Sequence, residues 1–455
     1  MSNVQGPKSI LDSILKKGVD QAEIYFSSTR TLKIDVLDRK VESVDEIRDA
    51  GYGIRVIRDK KLGFAFTSDP DPAALEETME RAVDNAKSSA PDEFNLLPNY
   101  LTTTRPSSSR SHPPKGLDLF DPKISRTPVK DKIELALKIE EAAYRTDKRV
   151  KRTEKVSYSD SESEVWIVNS NGIEAKHKSN FCGGHADMIA AQDSEMEAGL
   201  GIDFVKKLAD LDPQKIGKEA AERASALLGA RAIPSRKLPL LFDPFVGTQL
   251  LEVLASALSS DATQKGKSLF ADKLGKEIGS EIFSLIDNGR LPGGLGTEPC
   301  DGEGVPTQET RLVENGILRN FLYNTYTAAK GGTRSTGNAV RSSFSGLPGI
   351  GPTNLFIPAG PQSAPELIRS VRQGLYIQRV MGVHTANPIS GDFSFGAAGL
   401  MIENGEKTYP VRGITIAGNL IEMLKAIEAV CSDLRFIVNI GSPTLLITGI
   451  TVSGG

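Results

Sequence analysis

The chain repeats itself, and that repeat constrains its fold more than any other feature. Residues 8–90 open with an amphipathic helix, SILDSILKKG, that ends at Gly18. Strand-like runs follow (AEIYFSS, TLKIDVLD, GYGIRVIR, KLGFAF), and a helix closes the segment after DPDPAALEETMERAVDNAK. Residues 127–230 read the same way. The helix VKDKIELALKIEEAAYR precedes the runs EKVSYSDS, SEVWIVNS, IEAKHKSN, GGHADMIAA and EAGLGIDF, and a closing helix follows DLDPQKIGKEAAERASALL. Both closing helices begin alike. Asp71-Pro72 and Asp212-Pro213 place an acidic cap before a first-turn proline, where the missing N–H costs nothing. Glu80-Arg81-Ala82 recurs as Glu222-Arg223-Ala224. Two α+β units of one plan are expected; chance likeness between two ordinary α+β segments is the competing reading.

The texture changes twice. PNYLTTTRPSSSRSHPPKG is rich in Pro, Ser and Thr and lacks periodicity, so residues 98–122 read as a linker or exposed loop. The units then occupy residues 1–97 and 123–234. From residue 235 to 455 Gly-punctuated strands dominate, with Asn315-Gly316 and Asn404-Gly405 as hairpin turns. The expected fold is α+β: a duplicated N-terminal part followed by a β-rich, barrel-like C-terminal domain. Two helices interrupt it, over 245–259 and 419–430.

Composition excludes several function classes. Lys+Arg number 55 against 58 Asp+Glu, net -3, which leaves no cationic field for direct nucleic-acid binding. No apolar run reaches the roughly 20 residues of a membrane helix. The N-terminus lacks the charged start, apolar core and small-residue cleavage site of a signal peptide. Cys182, Cys300 and Cys431 are dispersed and odd in number, so a reducing cytoplasm is expected.

Three long stretches carry a resemblance. They are LPLLFDPFVGTQLLEVLASALSSDATQKGKSLFADKLG, LPGGLGTEPCDGEGVPTQETRLVENGILRNFLYNTYTAAKGGTRSTGNAVR and NPISGDFSFGAAGLMIENGEKTYPVRGITIAGN, in that order across residues 238–420. They resemble the TldD/PmbA family, the "modulator of DNA gyrase" family. The resemblance implies two kinds of subunit. TldD-like chains carry His-Glu-x-x-x-His on the first C-terminal helix and a cysteine ligand near the C-terminus; PmbA-like (TldE-like) chains lack them. Here the motif falls on Leu251 to Ser256. Glu252 is present, but Leu251 and Ser256 stand where the imidazoles would be. Leucine has no lone pair for zinc, and a neutral hydroxyl is a weak ligand. A glutamate alone cannot bring a water's pKa near neutrality. Near the C-terminus the chain reads Phe436 to Ser442 without a cysteine, and Cys431 follows an expected helix.

The resemblance thus implies a metal-free subunit of a heterodimeric cytosolic metallopeptidase, with zinc in a TldD-like partner and short or unfolded peptides as substrates. Catalytic residues in this chain are expected to be none. The alternative is a non-enzymatic peptide-binding or regulatory homodimer. A metal-independent hydrolase using Glu252 with an unseen nucleophile ranks lowest.

Other groups have bland readings beside sharp ones. Cys182-Gly183-Gly184-His185 has half-site spacing with His177 nearby, yet the glycines suggest a strand bulge. Asp301, Glu303 and Asp392 form a shared carboxylate site or serve turn chemistry. His112 lies in the linker, and His384 reads as structural. LPGGLG lacks the strand–turn–helix context of a dinucleotide site. The polar loop from Arg334 through Asn338 to Arg341 either holds a peptide carboxylate or backbone, or is a solvated connection.

Overall fold

The computed structural model describes residues 6–99 and 117–454. The central part of the expected linker, with His112, lies outside the described residues.

The two units contain the expected elements. The first has α1 (Pro7–Leu15), β1 (Gln21–Leu37), β2 (Lys40–Arg58), β3 (Lys61–Thr67) and α2 (Pro72–Ser88). The second has α3 (Val129–Thr146), β4 (Val150–Asn169), β5 (Glu174–Gln192), β6 (Glu195–Val205) and α4 (Pro213–Ala226). Asp71 and Asp212 cap the closing helices, accepting from Ala73 N and from Gln214 and Lys215 N.

Two features differ from the sequence reading. Adjacent runs fuse into strands of 17 to 20 residues, because each joining residue is held in register by the neighbouring strand. The units also share one sheet, in the order β3-β2-β1-β4-β5-β6. Its middle is the antiparallel β1–β4 pair, running from Glu23↔Asn169 to Val36↔Val156.

Period-2 alternation gives the sheet two faces. Ala22 and Ile24 of β1 pack with Ile10, Ile14, Leu75 and Met79 under α1 and α2. Leu32, Ile34 and Val36, of the same parity, pack with Ile139, Ile216 and Ala220 under α3 and α4. All four helices therefore cover one face. Close approach needs glycine under each closing helix: a Cβ on Gly63 would lie 2.0 Å from Ala82 O, and one on Gly199 2.2 Å from Ala224 N. Strand β3 pairs only with Tyr52–Arg58 of β2. Residues 40–51 of β2 thus have β1 on one side and no strand on the other, among the described residues.

The C-terminal domain curls around its own core. An eight-stranded sheet contains Leu240–Phe242, Gln373–Met381, Asp392–Glu403 and Glu406–Asn419 as neighbours. A six-stranded sheet packs near it, and α5 (Pro244–Ala257) lies in the shared core with Leu250, Leu251 and Leu254. The predicted hairpins form: Asn315 and Gly316 take φ of 49° and 77°, Asn404 and Gly405 of 52° and 83°. The expected helix over 419–430 stops early. Leu420–Lys425 is helical, whereas Ile427–Val430 pairs as a strand with Leu445–Ile447. The β-branched Ile427 and Val430 gain more from that sheet position than from another helical turn.

Candidate functional site at the junction of the sheet and the C-terminal domain

The sheet face without helices meets the C-terminal domain. Its first polar residues sit inside apolar runs: Glu23 between Ala22 and Ile24, and Arg55 between Ile54 and Val56. Such charges are buried only when paired. Arg55 bonds Glu23 Oε2 at 2.7 Å and Glu303 Oε1 at 2.9 Å. Arg341 pairs with Glu23 Oε1, donates from Nε to Gly302 O at 2.8 Å and from Nη1 to Gly346 O at 3.1 Å, and lies 4.6 Å from the Tyr25 ring centroid. Glu303 also accepts from Thr325 N. All four charged side chains are buried. Burial pushes the Glu303 carboxyl up, but Arg55 and the Thr325 N–H outweigh it and hold it low. Burial, reinforced by the Glu303 charge, raises Asp301.

This placement settles several expectations. Asp301 serves turn chemistry, accepting from Glu303 N, Val305 N and Ala339 N. Asp392 is exposed elsewhere and bonds Asn419, so no shared site with Asp301 and Glu303 forms. The loop 334–341 is not a solvated polar loop throughout. Arg334 is exposed, but Asn338 is buried and donates to Asp287 Oδ2 and Gly351 O, and the side chain of Arg341 is enclosed. Neither buried side chain presents its donors to a peptide at the surface. Cys182 and His185, three apart on a strand, face opposite sides. Gly183 and Gly184 mark close contacts with Phe204 and Ile139, not a bulge, since the β5–β6 register runs through them unbroken. His177 instead contacts Glu298 at 3.1 Å.

The structure places the degenerate motif positions on different sides of one helix. Five residues apart on a helix, Leu251 and Ser256 point about 140° from each other. Leu251 is fully buried, while Ser256 is exposed and donates to Val253 O at 2.8 Å. Glu252 is exposed, and desolvation by its neighbours raises its pKa. The C-terminal hairpin does reach this helix: Ser442 lies against Gly247. Cys431 is buried in a separate cluster with Leu241, Leu367 and Tyr376, and it follows a strand, not the expected helix. Among the described residues, no three His, Cys, Asp or Glu side chains gather as a metal site requires.

A cleft of about 510 Å³ opens beside the buried charges. Arg55, Ile57, Leu62, Asp92 and Leu96 line it from the first unit; Asp261, Glu303, Tyr326 and the segment 347–350 line it from the C-terminal domain. Tyr326 donates to Asp92 Oδ2 at 2.7 Å. That bond, with burial and the charges of Asp92 and Asp261, pushes the phenol up to about 12. Sequence reasoning missed this cleft. Its only advance signal was the acid in AEIYF and the base in GYGIRVIR, each demanding a buried partner.

The described residues thus combine a duplicated α+β sheet with a curled β-rich domain. The comparisons give the family. The chain matches descriptions of the PmbA/TldA metallopeptidase domain 1 over residues 22–86, central domain over 122–228 and C-terminal domain over 235–454. It therefore belongs to the PmbA/TldD family. It is 29% identical to metalloprotease PmbA of Escherichia coli O157:H7, over 100% of this chain and 98% of that one. It is 32% identical to a metalloprotease of Methanothermobacter thermautotrophicus, over 92% and 89%. A Thermotoga maritima protein described as a candidate modulator of a DNA gyrase superposes with a TM-score of 0.88 at 30% identity, over 98% and 99%. TldE from Thermococcus kodakarensis does so at 0.88 and 25%, over 98% and 99%.

Proposed function

We infer that this chain is the metal-free, TldE-like subunit of a heterodimeric cytosolic metallopeptidase acting on short or unfolded peptides. A TldD-like partner supplies the zinc and the general base. This chain supplies a rigid half of the peptide-handling chamber. The observation that carries the reading is the identity of Leu251 and Ser256, an aliphatic side chain packed in the core and a neutral hydroxyl bonded to its own helix, at the two positions where zinc-binding chains place imidazoles.

The inner sheet face suits such a role. Thr29 and Ser163 lie 3.4 Å apart and Thr31 and Ser161 3.3 Å, giving rows of hydroxyls that can meet the backbone of an extended peptide. Metal analysis of the purified chain, beside peptide cleavage with and without a TldD-like subunit, tests the assignment. Cleavage is expected only in the mixture. Chelator-sensitive cleavage by this chain alone would falsify it. A stable symmetric dimer that ignores the partner would favour the regulatory homodimer.

A further inference from the structure

We propose that the cleft between the first unit and the C-terminal domain seats the free N-terminal residue of a peptide, its ammonium held by Asp92 and Asp261. The inference deepens the peptide-handling role and rests on it. Three sets of groups on the cleft wall match three parts of such a residue.

The first set is acidic. Asp92 comes from the segment after α2, and Asp261 from the helical turn just beyond α5. Phe94 N and the Tyr326 hydroxyl donate to Asp92 and hold its carboxyl below the usual range, so it stays ionised. The cations facing these acids are surface lysines. Lys265 pairs with Asp261 at 2.8 Å, and Lys330 acts on Asp92 through its charge. Arg55, in the same wall, is already committed to Glu23 and Glu303. An ammonium entering the cleft displaces mobile lysines, not a buried partner.

The second is a donor. Arg55 is 6% exposed and lines the cleft, and its Nε, closed off from solvent just beneath the wall, has no hydrogen-bond partner. A buried donor left unpaired is costly, and a peptide carbonyl would satisfy it. The third is apolar. Ile57, Leu62, Leu96, Leu347 and Ile350 form the rest of the wall and suit an aliphatic side chain. The cleft thus offers anionic acceptors, one donor and an apolar wall within one volume.

The probe is the tetrapeptide Leu-Ala-Ala-Ala with a C-terminal fluorophore, free or acetylated at its N-terminus. Binding to the full chain is read by fluorescence anisotropy. The acetylated form is expected to bind at least tenfold more weakly. Asp92→Asn combined with Asp261→Asn lowers affinity for the free form at least tenfold and abolishes the distinction. Asparagine keeps one oxygen to accept from Phe94 N and turns its amide N–H to the Tyr326 hydroxyl, which can accept it, so the fold is retained, and circular dichroism checks it. Leu347→Trp, at an exposed wall position, blocks the cleft and weakens binding without touching either acid. Equal binding of both peptides, no binding of either, or an unchanged affinity in the double variant overturns the proposal. These measurements use the chain alone, so the zinc-partner reading stands or falls separately, on cleavage by the mixture.

Discussion

Replacing Arg341 by methionine gives the sharpest test of how the sheet is locked to the C-terminal domain. The substitution roughly keeps volume and removes the pair with Glu23, the donations to Gly302 O and Gly346 O and the cation's contact with the Tyr25 ring. Glu23 is then left buried with Arg55 alone, and Arg55 is shared with Glu303. The cluster passes from two cations and two anions to an uncompensated negative charge in a site with no exposure. Breaking a buried pair from one side costs about 3–5 kcal/mol. The two orphaned carbonyls argue for the upper half of that range. Guanidinium unfolding, followed by the single Trp166 and by circular dichroism, measures it. The companion is Arg341→Met with Glu23→Gln, which removes the stranded charge and should recover more than half the loss. A single-variant cost under about 1 kcal/mol, or a double variant no better than the single, would refute the reasoning.

Three further outcomes are expected. Burial raises Asp287 to about 6 against the donors Asn338 and Thr353. Its stabilising contribution is therefore full below about pH 4 and lost as pH rises through about 6. The stability difference between wild type and Asp287→Asn should fall by about 2 kcal/mol across that window, and a flat difference refutes it. Gly63→Ala and Gly199→Ala should each destabilise by about 1–3 kcal/mol, because the new methyl meets helix backbone; thermal melts at or above wild type would contradict this. Glu252→Gln in this chain should leave both its stability, within about 0.5 kcal/mol, and the cleavage rate of the mixed complex unchanged; a large rate loss would return Glu252 to a catalytic role.

Much of the architecture was legible because it is local. Asp-Pro helix starts, Asn-Gly turns and period-2 runs each act within a few residues; the starts and turns formed as read, and the runs formed as parts of longer strands. The degenerate motif was legible for the same reason: Leu251 and Ser256 fail chemically at their own positions. What was hidden is long-range. Nothing local says that β1 pairs with β4, so two units looked separable where one sheet runs through both. The buried cluster joins Glu23 to Arg341 across 318 positions, and the loop holding Arg341 looked polar because its partners were unknown. Local propensity misjudged Ile427–Val430 because a waiting strand, Leu445–Ile447, overrode it.

The bare margin of β2 has a consequence for how these molecules tolerate one another. Val41, Val44 and Ile47 stand exposed along it, where a neighbour's strand could attach. Two copies meeting antiparallel about a central Val44 would set Glu42 against Glu46 and Lys40 against Arg48; centred one residue later, Asp45 would confront itself. Replacing Glu42, Asp45 and Glu46 by neutral residues is the change after which crowded solutions of this protein should begin to stick.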